Sequence, residues 1–176
     1  MEFNITESIQ ILTKTPSVIS NLLKDLPETW IKTNEGVDTW SPYDVVGHLI
    51  HGEKTDWIPR ALIILGENED KAFVPFDRFA QLKNSSSRTL KQLLAEFEEL
   101  RTENIQKLQA LSIDEQTLER KGIHPEFGEV TLKQLLATWV VHDLGHINQI
   151  TRVMAKNYKI EVGPWTKYLA ILRDKK

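Results

Sequence analysis

The sequence predicts an all-α protein, a four-helix bundle with a long crossover loop, and three observations carry that expectation. Four stretches of bundle length repeat apolar residues at helical spacing. Residue pairs that cap helices stand at the head of two of them. No strand pattern rises above noise, and no internal repeat is present. A chain of 176 residues is expected to form one domain, residues 1–176, with a core large enough to need no staples.

Taken in order, Ile5, Ile9, Leu12, Ile19, Leu22, Leu23 and Leu26 mark a first amphipathic helix ending near Pro27. Pro16 falls inside it, so either the helix kinks there or Thr15 caps a second segment. Ser41-Pro42-Tyr43-Asp44 opens the second helix: serine as N-cap, proline at the first helical position, aspartate three on from the cap. That helix is expected to run to Gly66 with a bend near Pro59.

Residues 66–87 break the pattern with charge, Pro75, three aromatics and a serine run. A loop of that length reads either as a lid or as an irregular crossover packed by Phe73, Phe76 and Phe79. Leu90, Leu93, Leu94, Phe97, Leu100, Ile105 and Leu108 make the third helix. A turn-rich His124-Pro125-Glu126-Phe127-Gly128 then leads to the fourth, Thr131 to Lys156, which Thr131 and Gln134 open as a capping box. Beyond it, Gly163-Pro164-Trp165 breaks the pattern, and Tyr168 to Leu172 is expected to be a short docking helix.

Composition narrows the chemistry. A net charge of −3 points to neither nucleic acid nor an anionic membrane. The absence of cysteine removes disulfides, a thiolate nucleophile and cysteine-type zinc sites, leaving histidines and carboxylates as ligands. The first twenty residues lack a basic region followed by an apolar run, and no stretch approaches membrane-spanning length. A soluble, cytoplasmic protein is expected.

His142 and His146 stand four apart on the fourth helix, on the side that carries Leu135, Trp139, Gln149, Ile150 and Val153. They therefore point inward. His48, on the second helix beside Val45 and Leu49, lies where an apolar stripe meets a polar one formed by Asp44, His51, Gly52 and Thr55. One reading joins His48, His142 and His146 around a divalent metal, with a coordination position left open for chemistry. The other makes the fourth-helix pair core histidines bonded to each other or to backbone carbonyls. His51 reads as a surface residue or reserve ligand, and His124 as a loop-structuring residue. Asp143 reads as an ion-pair partner, or as a support for the ligands from behind. Gln149 and Thr55 are candidates for lining the site. Phosphate-cradling glycine loops, nucleophile elbows, HExxH and the Glu-x-x-His repeats of di-iron bundles are absent from the sequence.

Several signposts together resemble the DinB-like proteins, in particular the branch of bacillithiol transferases and metal-dependent hydrolases. They are Trp40-Ser41-Pro42 leading to His48-Leu49, His124-Pro125 with Phe127-Gly128-Glu129-Val130-Thr131-Leu132, and His142-Asp143-Leu144-Gly145-His146 with Gln149-Ile150. Late Gly163-Pro164-Trp165 and Tyr168 also look like that branch. The resemblance implies an up-down-down-up bundle and a zinc, nickel or similar ion on His48, His142 and His146. It also implies a homodimer. For chemistry it implies transfer of a low-molecular-weight thiol such as bacillithiol to an electrophile. A hydrolase using bound hydroxide and a non-enzymatic metal-binding bundle stay open beside it.

Overall fold

A computed structural model describes residues 1–173. In chain order the helices are α1 (Ile5–Leu23), α2 (Glu28–Lys32), α3 (Pro42–Thr55), α4 (Trp57–Leu65), α5 (Ala80–Asn84), α6 (Leu90–Ala110), α7 (Glu115–Leu118) and α8 (Leu132–Lys156). The bundle consists of α1, α3, α6 and α8. Each starts on a side-chain cap: Asn4, Ser41, Thr89 and Thr131 each accept a backbone N–H of the first turn. In the last three the cap is a reciprocal box with Asp44, Gln92 and Gln134.

Two apolar clusters set the directions of the helices. One holds Leu12, Trp57, Ile105, Leu108, Leu132, Leu136 and Trp139. The other holds Ile19, Leu23, Val45, Val46, Leu93, Phe97 and Ile150. Moving from the first cluster to the second, the chain advances along α1 and α8 and retreats along α3 and α6. The bundle is therefore up-down-down-up, and α3 and α6 run parallel, which the crossover of residues 66–87 makes possible.

Pro16 neither kinks α1 into two helices nor ends it. A proline cannot donate to the carbonyl four residues back, here that of Leu12. Arg101 of α6 supplies the missing donor, its Nη1 lying 2.8 Å from Leu12 O. The second helix does not run to Gly66 with a bend at Pro59. It ends at Thr55, and Asp56 (φ −110°, ψ −77°) separates it from α4. Pro59 falls in the first turn of α4, where the backbone donors have no intrahelical partner to lose.

Two short strands correct the expectation that strand is absent. β1 (Lys121–His124) and β2 (Gly128–Thr131) pair antiparallel, with His124 opposite Gly128. Four residues each are too few for alternation to stand out, and both strands are largely exposed. The hairpin is tied to the crossover by Phe73 N–H to Ile123 O and Ile123 N–H to Lys71 O, both 2.9 Å. The docking helix expected over residues 168–172 is instead a pair of 3₁₀ turns, Gly163–Lys167 and Ala170–Leu172, with Leu172 buried.

The crossover packs α5 against α3. A Cβ added to Gly47 would lie 2.5 Å from Ser85 Oγ and 3.2 Å from Gln81 Cβ, so glycine is what lets the two helices approach. The Tyr43 hydroxyl fixes the end of the crossover at the backbone carbonyls of Ser85 and Arg88. No helix among the described residues is long and apolar enough to cross a membrane.

Candidate metal centre

The antiparallel faces of α3 and α8 bring His48, His142 and His146 together, one ring nitrogen of each lying within 4.8 Å of the others. His142 Nε2 is 3.1 Å from His48 Nε2 and 3.1 Å from His146 Nε2. His48 is buried, and the other two are partly so. Burial, with the neighbouring imidazoles, pushes His48 down to about 2. Burial and His142 push His146 down to about 4. Both rings are therefore neutral at physiological pH, the form that binds a metal.

Protons alone cannot satisfy this cluster. The Nδ1–H of His146 donates to Gln149 Oε1 at 2.9 Å, which leaves its Nε2 as a lone pair facing His142. His142 Nε2 carries either a proton or a lone pair and cannot both donate to His146 and accept from His48, so at least one of the two close contacts lacks a full hydrogen bond of its own. A cation removes the conflict. Three nitrogens at about 2.0–2.1 Å from a tetrahedral ion stand about 3.3 Å apart, close to the spacing seen here. The donor set fits zinc, nickel and similar divalent ions. Gln149 holds one ligand ring from behind, while His48 Nδ1 and His142 Nδ1 are buried without a hydrogen-bond partner among the described residues.

The cluster opens into a cavity of about 870 Å³. Trp40, Trp57 and Phe76 stand around the imidazoles, with ring centroids 4.7 Å (Trp40–His48), 5.0 Å (Trp57–His142) and 5.4 Å (Phe76–His48) apart. The far wall comes from the crossover and from the hairpin turn, which contributes His124, Pro125, Glu126 and Phe127. His124 stacks on Phe127 and its Nδ1 accepts the Glu126 N–H at 3.2 Å. It thus organises the turn and lines the cavity as well. Asp56, at the α3–α4 break, also lines it. Burial raises this carboxyl above its ordinary range, although Arg60 lies 2.7 Å away.

Beneath the histidines a buried polar layer crosses the bundle between the two apolar clusters. Arg101 uses all five donors: Nε and Nη2 to Glu53, Nη1 and Nη2 to Asp143, and Nη1 to Leu12 O, at 2.6–3.1 Å. Asn104 adds a 2.9 Å bond to Glu53. Burial raises Glu53. Burial would raise Asp143 too, but the two Arg101 hydrogen bonds and the guanidinium charge hold it low. Its Oδ1 is 4.0 Å from His142 Nδ1, beyond hydrogen-bond reach. Of the two roles expected for Asp143, the structure displays the ion pair.

Gln149 is in the cavity wall, whereas Thr55 is exposed and spends its hydroxyl on His51 O at 2.8 Å. The structure does not bring Thr55 to the cluster. His51 lies against Phe76, outside the three-nitrogen group. Sequence reading missed Asp56, Trp57 and Arg152, which also line the cavity. The available signal for Arg152 was spacing: His142, His146, Gln149 and Arg152 recur along one side of α8.

A helical bundle with three converging imidazoles and an open aromatic cavity defines the class, and comparison with known proteins supplies the family. The DinB superfamily model matches residues 11–150, and the chain belongs to that superfamily. Among solved structures it is similar to YfiT from Bacillus subtilis, described as a probable metal-dependent hydrolase with an unusual four-helix bundle topology. The two share 25% identity over 86% of each chain, with a TM-score of 0.73. No curated protein matches.

Proposed function

We propose that this protein is a metal-dependent enzyme in which His48, His142 and His146 hold a zinc or nickel ion, and that it transfers a low-molecular-weight thiol to an electrophile. The observation that carries the reading is the set of three mutually frustrated imidazoles, His48 and His146 held neutral by burial, at the floor of an open cavity. A bound ion of that kind supplies Lewis acidity, which favours the deprotonated form of a thiol at its open position. Gln149 keeps the His146 lone pair aimed at the centre, and Trp40, Trp57 and Phe76 keep bulk water from crowding it. The cavity has room for both a thiol and a small electrophile.

Hydrolysis is the second reading, favoured by Asp56. A buried carboxyl with a raised affinity for protons, in the wall of the same cavity, suits a general base. The description of YfiT points the same way. The proposal includes a homodimer, supported by exposed Val141 and Leu144 beside Gly145 on α8, where nothing stands within 4 Å of an added Cβ.

The test is a conjugation assay on metal-loaded protein with bacillithiol, glutathione and mycothiol against a panel of electrophiles. The proposal expects turnover with at least one thiol and its loss in His142→Ala. Turnover of esters or amides without any thiol would favour the hydrolase, and inertness in both assays would sink both enzyme readings.

A further inference from the structure

Arg152 is the cavity residue whose chemistry the three-histidine centre does not explain. Its Nε and Nη2 form a fork on Glu35, at 2.8 and 2.5 Å, and Lys156 reaches the same carboxylate at 3.0 Å. The remaining nitrogen, Nη1, is buried without a hydrogen-bond partner among the described residues. An orphaned guanidinium donor costs free energy unless something completes it. Both Arg152 and Glu35 line the cavity, as does Trp40, whose ring lies nearly parallel to that of His146 at 6.3 Å.

Spacing along α8 converts this into a ligand description. Arg152 follows His146 by six positions, a rise of about 9 Å and a turn of about 120° around α8, so the two side chains enter the same cavity from adjoining sides of the helix. We infer that Arg152 is the carboxylate-binding end of the substrate site. Its ligand carries a metal-coordinating atom at one end and, further along the same cavity, a carboxylate, joined by an apolar segment passing Trp40. The inference rests on the metal-centre reading above and adds to it the class of molecule admitted. Glu35 holds Arg152 in place while competing with the incoming carboxylate for the same guanidinium.

The probe is a mercapto-octanoic acid with sulphur and carboxylate at opposite ends, compared with its terminal amide. Each is titrated into protein loaded with cobalt(II), where the sulphur-to-cobalt absorption band reports coordination directly. The acid is expected to bind about ten-fold or more tightly than the amide, as a charge-assisted hydrogen bond predicts. Arg152→Gln should bring that ratio close to unity, and Glu35→Gln, which frees the fork, should raise it. Equal binding of acid and amide by the wild-type protein would overturn the inference, and so would an unchanged ratio in Arg152→Gln. A ratio lowered by Glu35→Gln would overturn it too, even if the arginine variant failed to fold. In each of those cases the sulphur band leaves the metal centre standing. No cobalt band at all would overturn the metal-centre reading and this inference with it.

Discussion

His146 illustrates how a single side chain is prepared for its role. Its Nδ1–H is committed to Gln149, so its Nε2 offers a lone pair without waiting for an ion to select the tautomer. Gln149→Leu should therefore weaken metal binding by about ten-fold to a hundred-fold with little change in fold, read by competition against a chromogenic chelator. An unchanged affinity would mean that the ring is held by packing alone. The convergence of the three histidines was legible in the sequence because helical spacing places His142 beside His146 and sets His48 where an apolar stripe meets a polar one. Gln149 follows from the same spacing. Thr55 shares a helical side with His51, but its hydroxyl turns back to the carbonyl one turn earlier, a local bond that spacing cannot foresee.

At the scale of elements, the polar layer joins all four bundle helices through one guanidinium. Arg101 of α6 meets Leu12 of α1, Glu53 of α3 and Asp143 of α8. Removing it would strand two buried carboxylates, so Arg101→Met should cost about 3–5 kcal/mol in urea unfolding. A loss below about 1 kcal/mol would show that the layer contributes little beyond its packing. The sequence marks α1, α6 and α8 through periodicity and the starts of α3 and α8 through caps, signals that act within a few residues. It does not mark this layer, because Glu53, Arg101 and Asp143 are ordinary charged residues until the bundle brings them together. The Asp56 break was hidden for a related reason: Pro59 is the conspicuous breaker, yet it sits harmlessly in the first turn of α4. The hairpin was hidden by its length.

For the whole molecule, keeping imidazoles neutral inside a bundle links stability to pH. His48 is lowered to about 2 and His146 to about 4, whereas an unfolded chain protonates both near 6.5. Below about pH 6.5 the unfolded state binds more protons than the folded one, so their contribution to stability falls as the solution is acidified. Metal-free protein should lose roughly 1 kcal/mol for each of these histidines between about pH 7.5 and about pH 5.5. His48→Gln, measured beside the wild type by thermal unfolding, should have a visibly shallower dependence, and the comparison cancels the opposing contributions of Glu53 and Asp56. Parallel curves for the two proteins would contradict the burial argument.

The frustration among the three rings is the same fact seen from the centre outward. A fold that gathers three imidazole nitrogens through two 3.1 Å contacts has given up favourable hydrogen bonding there, and a divalent ion restores it. The most direct measurement is the metal content of untagged protein by mass spectrometry, for wild type and His142→Ala, each after exposure to zinc or nickel. One equivalent in the wild type, lost in a variant that keeps its helical spectrum, is the predicted result. No bound metal in either protein would contradict the account and leave the three histidines as core residues.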